Sequence, residues 1–519
     1  MSGYASYLAG RKFHLIGIGG AGMSVVADLL RAEGAQVSGS DCQSSSVLER
    51  LQQDGIAAYS PHDAQRLPTD ATVVVSSAIR ETNPELAQAK QLGLKILHRS
   101  QALALAAGSR KFIAVAGTHG KTTTSAMTAC ALQGAGLDPS YAIGASLVGI
   151  GSGGHLGDDP ILVAEADESD GSFLNYTPMV EVITNIEPDH LDHYGTIEAL
   201  QQVFSEFVEQ LAPGGYLICC SEDEMAVALA DDARQSRPDL HILTYGRPEA
   251  SIGTPFVSIT EIELEPAGAK FTLTCSGICS SACFGERFDT GGSCQVPAPG
   301  ASLEPESVGE SSGKVRVQLA RTGLHNVLNA AAAWMAAISV GADPKAAASA
   351  LADFQGASRR FELRGNVAAR RAYDDYAHHP TEVAFALKQA KLSVRDSNNG
   401  KYSSDGNNQG RVIAVFQPHL YSRTRIFQSE FAQALAVADC VVLAPIYAAR
   451  ETPEPGVDSE LIAGHLRQLG HRRCQVAGSA GEAILQAARM AEPGDLLLAI
   501  GAGDINQFTH LALDYWDSL

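Results

Sequence analysis

The chain has 519 residues, 38 basic against 58 acidic for a net charge of −20, with 45% hydrophobic and 18% charged positions. That length predicts three or four domains with packed cores and excludes a globally disordered chain. The negative balance argues against a nucleic-acid or anionic-membrane partner, and no apolar run reaches the ~18–20 residues that span a bilayer. Ten cysteines are far too few for a disulfide scaffold and fit a reducing compartment. The opening MSGYASYLAGRKFHLIGIGG carries a glycine turn in its apolar stretch, unlike a cleavable leader, so a cytoplasmic protein is expected.

Three β-rich apolar runs stop in turns and are each followed by an Ala/Leu-rich helical pattern: residues 13–20, 112–121 and 411–418. Alternation of this kind predicts parallel α/β sheets, and each run reads as the first strand of a domain. The predicted domains are 1–109, 110–355 and 356–519: Rossmann-like, P-loop ATPase with a mainly parallel sheet, and Rossmann-like again. Two polar or Ser/Gly/Pro-rich stretches, 276–313 and 393–411, read as insertions forming surface loops. Cys275, Cys279, Cys283 and Cys294 fall in or beside the first, but C-x3-C-x3-C without a C-x2-C pair or a nearby histidine is not a zinc pattern.

In the first domain, Gly17, Gly19, Gly20 and Gly22 form G-x-G-x-x-G between a strand and a helix that opens at Met23. Glycines permit the tight turn, and the helix N-terminus offers N–H groups to a diphosphate. Asp41 ends the next strand, where a carboxylate can meet a ribose hydroxyl, and Ser76 and Ser77 end a third. The motif is open between a dinucleotide and a nucleotide-sugar diphosphate.

The second domain opens with Gly117, Thr118, His119, Gly120, Lys121, Thr122 and Thr123 after the strand KFIAV. This is a shortened P-loop: backbone N–H groups wrap phosphates, Lys121 reaches the β/γ oxygens, and the Thr122 hydroxyl can ligate Mg²⁺. Two more strand ends carry charge, Glu165, Asp167 and Glu168 in ILVAEADESD, and Asp189, His190, Asp192 and His193 in NIEPDHLDHY. Hard oxygens with one imidazole suit Mg²⁺ or Mn²⁺ in phosphoryl transfer. In the third domain, Arg359 and Arg360 follow the Gly356 turn, where an arginine can be brought to phosphoryl charge on closure. Asp374, Asp375, Tyr376, His378 and His379 crowd together before Pro380.

GTHGKTTT, EADESDGSF and TNIEPDHLDHY together resemble the Mur ligase family, ATP-dependent amide ligases of cell-wall precursor synthesis. TGLHNVLNAAAA, GASRRFE, DDYAHHPTE, FQPHLYSRT and PIYAARE continue the match in order, over nearly the whole chain apart from the two insertions. The N-terminal GIGGAGMS is similar to family members that join L-alanine to UDP-N-acetylmuramate. The resemblance implies that ATP converts the muramate carboxylate to an acyl phosphate, which the amine of L-alanine then attacks. It implies UDP-sugar contacts from Gly17, Gly19, Gly20, Gly22, Met23, Asp41, Ser76 and Ser77, and adenine contacts from His325, Asn326 and Asn329. Glu168 and His190 with Thr122 would hold metal, with two ions expected; Arg360 and Asp374 would serve ATP. Tyr376, His378 and His419 would face the alanine, and Arg423 would stabilise developing charge. Lys121, His190, Arg360 and Arg423 are the expected catalytic set, in a monomer or weak homodimer. Relatives often carry a carbamylated lysine beyond the His190 position, yet this chain has no lysine between Lys121 and Lys270. Leu420 likewise stands where a second arginine is common. The neighbouring alternative is a murein-peptide recycling ligase. A NAD-dependent oxidoreductase leaves Lys121 and the acidic strand ends unexplained, and a non-catalytic ATP switch has no use for the third-domain cluster.

Overall fold

The computed structural model describes residues 8–145, 147–148, 153–275, 313–395, 410–449 and 451–519. Three α/β sheets follow one another along the chain. By packing, the chain divides into two compact units, one of Met1–Thr260, Thr272–Val317 and Leu328–Asp353, the other of Glu261–Phe271, Gln318–Val327 and Phe354–Leu519.

The first sheet comprises β1 (Lys12–Ile16), β2 (Gln36–Ser40), β3 (Ala57–Tyr59), β4 (Thr72–Val75) and β5 (Ile96–His98), all parallel in the order β3-β2-β1-β4-β5. After Lys12, β1 is buried residue by residue, as a central parallel strand covered on both faces must be. The order reverses between β1 and β4, so their carboxyl ends diverge and leave a crevice there. Helix Ala21–Ala32 starts directly after β1, with Gly20 at its N-cap and no side chain closing it.

The second sheet runs β15-β14-β13-β12-β11-β10-β6-β9-β7-β8. Its strands are β6 (Lys111–Ala116), β7 (Ser140–Ala142), β8 (Gly154–His155), β9 (Ile161–Glu165), β10 (Val180–Ile183), β11 (Tyr216–Cys220), β12 (His241–Gly246), β13 (Val257–Glu265), β14 (Gly268–Cys275) and β15 (Lys314–Leu319). Strand β6 lies between β10 and β9, parallel to both, so three loops leave the same sheet edge side by side. The Ala-rich helix Leu324–Ser339 buries Ala330 to Ala337 completely, and its Trp334 indole donates to the Pro344 carbonyl at 2.8 Å.

The third sheet runs β16-β17-β21-β18-β19-β20, from β16 (Glu362–Val367), β17 (Arg370–Asp375), β18 (Val412–Phe416), β19 (Cys440–Leu443), β20 (Cys474–Val476) and β21 (Leu496–Ile500). Here the sequence reading needs correction. The run 411–418 is the third strand of its sheet, because an antiparallel hairpin, β16 with β17, precedes it. That hairpin escaped the pattern because β16 is exposed on one side and reads ELRGNV, with no apolar run. Asp374 and Asp375 therefore end a strand. Helix Pro380–Arg395 continues into the stretch read as the second insertion, and Arg411, at its other end, is tied to Asp495 at 2.7 Å. Most of both insertions lies outside the described residues, with Cys279, Cys283 and Cys294, while Cys275 ends β14. Among the described residues, no helix is long and apolar enough to cross a membrane.

Candidate active site

A cavity of about 750 Å³ opens at the reversal point of the first sheet. Gly17, Gly19, Gly20, Gly22, Met23, Asp41, Ser76 and Ser77 all line it. The turn is held from β2: Gly17 and Ile18 donate their N–H groups to the Ser40 carbonyl at 2.8 and 3.0 Å. Gly19 donates to Asp41 Oδ2 at 2.8 Å, and Asp41 Oδ1 accepts from the Cys42 N–H at 2.7 Å. Asp41 thus fastens the turn through Oδ2, a use the sequence did not predict. A Cβ at Gly19 would stand 2.9 Å from Asp41 Oδ2, so this close approach needs glycine. Arg99, which no motif marks, also lines the cavity, together with Asp167 of the ILVAEADESD strand end. The Arg99 guanidinium lies where a side chain on Gly22 would be. It brings positive charge to the N-terminus of helix Ala21–Ala32, a combination suited to a diphosphate.

At the second sheet, β6 ends in the loop Gly117 to Gly120, and helix Lys121–Gly134 follows, again without a side-chain cap. Gly117 (φ 122°) and Gly120 (φ 87°) take left-handed conformations, and a Cβ at Gly117 would collide with Thr184. Neighbouring β10 fixes the loop: Thr118 N–H donates to the Asn185 carbonyl at 3.0 Å, and His119 N–H to Asn185 Oδ1 at 2.9 Å. Glu187 N–H donates to Thr118 Oγ1 at 2.8 Å. Lys121 Nζ folds back to the carbonyls of Gly117 (2.6 Å) and Thr118 (3.1 Å) and to Glu168 Oε1 at 2.8 Å. Burial alone would lower the Lys121 pKa, but Glu168 and Asp167 outweigh it and hold the ammonium above its ordinary value.

Glu168 is 1% exposed, and its second oxygen, Oε2, has no partner among the described residues. Burial pushes its carboxyl up to about 7, against the pull of Lys121. His190 Nε2 lies 3.8 Å from Glu168 Oε1 and 3.6 Å from Asp189 Oδ2, and its backbone is left-handed at φ 54°. Thr122 Oγ1 donates to Glu165 Oε2 at 3.2 Å. A buried carboxylate with one oxygen left over and an imidazole 3.8 Å from the other is donor chemistry that fits a hard divalent cation, and Thr122 offers a hydroxyl at the start of the adjoining helix. Asn329 lies against the loop, with its Oδ1 2.7 Å from where a Gly120 Cβ would be.

In the other unit, the strand ends of the third sheet gather a second group. Arg359 donates through Nη2 to the carbonyls of Gly501 (2.9 Å) and Gly503 (3.0 Å), and its guanidinium stacks over the Tyr376 ring at 4.6 Å. Arg360 faces the same ring at 5.3 Å and lies 3.4 Å from Glu382. His378 Nδ1 is 3.2 Å from Glu382 Oε2, and its ring meets His419 at 6.1 Å, edge to face. His419 stacks on Tyr447 at 5.8 Å. Arg423 is buried in the short helix that Leu420 precedes; Leu420 is itself buried. His325 stacks on Phe385 at 5.4 Å, and burial pushes its pKa down to about 4, with Arg360 adding to the effect. Asn326 Nδ2 donates to the Thr322 carbonyl at 2.7 Å. Asp374 lies within electrostatic reach of Arg359. It is 1% exposed, accepts from Thr509 Oγ1 at 2.5 Å and lies 3.2 Å from Arg364 Nε, and burial pushes it up to about 6.

A phosphate loop flanked on both sides by acidic parallel strand ends, joined to an α/β domain with its own cavity at a glycine turn, defines an ATPase-type α/β enzyme. The chain belongs to the Mur ligase family. Family models match in order along it: "Mur ligase family, catalytic domain" at residues 12–111, "Mur ligase middle domain" at 160–337 and "Mur ligase, glutamate ligase domain" at 359–503. Curated relatives named UDP-N-acetylmuramate--L-alanine ligase include one from Kineococcus radiotolerans, 45% identical over 504 residues, covering 95% of this chain and 94% of the relative. Another, from Paenarthrobacter aurescens, is 43% identical over 497 residues, covering 96% and 95%. Among solved structures, a UDP-N-acetylmuramate-alanine ligase from Thermotoga maritima shares the fold, with a TM-score of 0.69 at 24% identity over 98% of this chain and 99% of that one. A murein peptide ligase from Psychrobacter arcticus has a TM-score of 0.63 at 25% identity, covering 98% and 99%.

Proposed function

We propose that this chain joins L-alanine to the carboxylate of UDP-N-acetylmuramate, converting ATP to ADP and phosphate, as a cytoplasmic enzyme of peptidoglycan precursor synthesis. The observation that carries this reading is the match to relatives bearing that name, 45% identical over 504 residues. A carboxylate is a poor acyl donor until one of its oxygens becomes a good leaving group. Phosphorylation by ATP supplies that group, and the alanine amine then attacks the acyl phosphate and expels inorganic phosphate. The sugar nucleotide occupies the cavity at the glycine turn of the first sheet, its diphosphate at the start of helix Ala21–Ala32 beside Arg99.

The triphosphate lies along Gly117 to Thr123, with its β and γ oxygens at the N-terminus of helix Lys121–Gly134. Lys121 leaves the loop carbonyls for the γ-phosphate and neutralises charge as the P–O bond breaks. Thr122, Glu168 and His190 would hold Mg²⁺ or Mn²⁺, which supplies Lewis-acid neutralisation of phosphate charge when bound. A nearby carboxylate, Glu187 or Asp189, provides the negative charge that a carbamylated lysine gives in relatives. His325, Asn326 and Asn329 serve the adenine, and a neutral His325 suits stacking against an uncharged base. Tyr376, His378 and His419 receive the amino acid, and Arg360 and Arg423 carry positive charge toward the reacting phosphoryl group. Asp374, held by Thr509 and Arg364, serves ATP together with Arg360.

The likeness to the murein peptide ligase makes the acceptor the point to test. With ATP and UDP-N-acetylmuramate saturating, phosphate release should respond to L-alanine at least about tenfold better in kcat/KM than to an L-alanyl peptide. The reverse preference would assign the chain to peptide recycling.

A further inference from the structure

The glycine turn of the first sheet is held by Ser40 and Asp41; one buried acid, Glu85, bonds Ser40 directly and reaches Asp41 through Tyr59. Glu85 enters through helix Pro84–Gln91, capped by Asn83 Oδ1 accepting from the Glu85 and Leu86 N–H groups at 3.0 and 3.1 Å. Its carboxylate has no solvent exposure. Oε1 accepts from Tyr59 OH at 2.9 Å and from the Asp63 N–H at 2.8 Å. Oε2 accepts from the Ser40 hydroxyl in a short bond, and lies 3.2 Å from Nε2 of the fully buried His14. His14 reaches on through Nδ1 to Ser38 Oγ at 2.9 Å. One side chain thus ties β1, β2 and β3 together below the cavity.

Two short paths lead from it to the turn. The first runs through Ser40, whose hydroxyl meets Glu85 while its carbonyl takes the Gly17 and Ile18 N–H groups. The second runs through Tyr59, whose OH meets Glu85 while its carbonyl accepts the Asp41 N–H at 2.9 Å, and Asp41 Oδ2 takes the Gly19 N–H. Three consecutive amides of the turn therefore depend on residues that Glu85 fixes. A carboxylate held at zero exposure among four donors is costly to bury, and its hydrogen bonds to a charged acceptor are the stronger kind. A fold needing only apolar packing there would be served by leucine.

We propose that Glu85 is a positioning residue for sugar-nucleotide recognition: acting through Ser40 and Tyr59, it sets the geometry of the Gly17–Gly20 turn and so tunes affinity for the nucleotide diphosphate sugar without touching it. This rests on the reading of the first-sheet cavity as the UDP-N-acetylmuramate site. Burial alone would raise the Glu85 carboxyl, but the bonds from His14, Ser40 and the Asp63 N–H hold it down at about 2, so it acts as an anion throughout the working range.

The test uses the full chain with Glu85→Gln, Ser40→Ala and Tyr59→Phe. Glu85→Gln should raise the KM for UDP-N-acetylmuramate, and its Kd by calorimetry without ATP, about tenfold. Its kcat and its KM for ATP should stay within about twofold of wild type. Ser40→Ala should raise the same two constants about threefold, and Ser40→Ala combined with Glu85→Gln should be no worse than Glu85→Gln alone. Hydrogen exchange at the Gly17, Ile18 and Gly19 amides should quicken in each variant, with helix Lys121–Gly134 unchanged. If Glu85→Gln does not fold, Ser40→Ala and Tyr59→Phe carry the same expectations. Unchanged sugar-nucleotide constants with wild-type exchange would overturn the proposal, as would a parallel loss in kcat and every KM, the mark of a merely structural role. Wild-type protein that does not bind UDP-N-acetylmuramate would instead refute the site assignment, while the exchange data would still report on Glu85.

Discussion

Lys121→Ala should lower kcat by about a thousandfold or more while leaving the calorimetric Kd for UDP-N-acetylmuramate within about threefold of wild type. Lys121 is the only lysine between residues 112 and 269, so no lysine close in sequence can take its place at the loop. Its present partners are the Gly117 and Thr118 carbonyls and Glu168, all in the second sheet's site, whereas the first-sheet cavity proposed for the sugar nucleotide is lined by other residues. The truncation also leaves the buried Glu168 without its cation, so the melting temperature should fall as well. Turnover and binding are therefore measured well below the variant's own melting point. Simultaneous loss of sugar-nucleotide binding in folded protein would contradict the division of labour between the two sites.

Glu168→Gln should lower kcat by about a hundredfold and raise the Mg²⁺ concentration for half-maximal activity by about tenfold or more. Glutamine keeps the volume and an acceptor for Lys121 but removes the charge that a divalent cation needs. The buried, unpartnered Oε2 is the feature that makes this expectation specific to Glu168. Glu165, in the same cluster, already accepts from Thr122 Oγ1 and, at 2.6 Å, from the Gly144 N–H. Steady-state rates across a Mg²⁺ titration check the prediction, and a variant with wild-type Mg²⁺ dependence would remove Glu168 from the metal set.

What could be read from the sequence divides along physical lines. The glycine turn, Asp41 and the serine pair were legible because parallel strands put function at their carboxyl ends, and the order β3-β2-β1-β4-β5 makes those ends neighbours. The same logic gathered Lys121, Glu168 and His190, since β10, β6 and β9 are adjacent. Other features had no such signal. The hairpin of β16 and β17 lacks apolar runs, so the third sheet seemed to begin two strands late. Arg99 and Glu85 sit in ordinary helical sequence (RSQALALAA and PELAQAKQ), and only tertiary packing gives them partners. Asp374 and Asp375 look equivalent in DDYAHHP, yet strand alternation sends them to different surroundings: Thr509 for Asp374, and the Phe361 and Ala377 N–H groups for Asp375. The −20 net charge sharpened into a requirement that positive groups be concentrated where phosphates bind. In the first unit Lys121 lies at the glycine loop of the second sheet and Arg99 in the first-sheet cavity; in the second, Arg359 and Arg360 face Tyr376 and Arg423 is buried in the helix Tyr421–Ile426.

Alanine-dependent acyl transfer powered by ATP is read out by phosphate release. Purified full-length protein is incubated with ATP, Mg²⁺ and UDP-N-acetylmuramate, with and without L-alanine, and inorganic phosphate is counted against the amide product. One phosphate and one ADP should appear per UDP-N-acetylmuramoyl-L-alanine formed, with release at least about a hundredfold slower when alanine is left out. Phosphate release that ignores L-alanine, or none when all three substrates are present, would contradict the proposed acyl transfer.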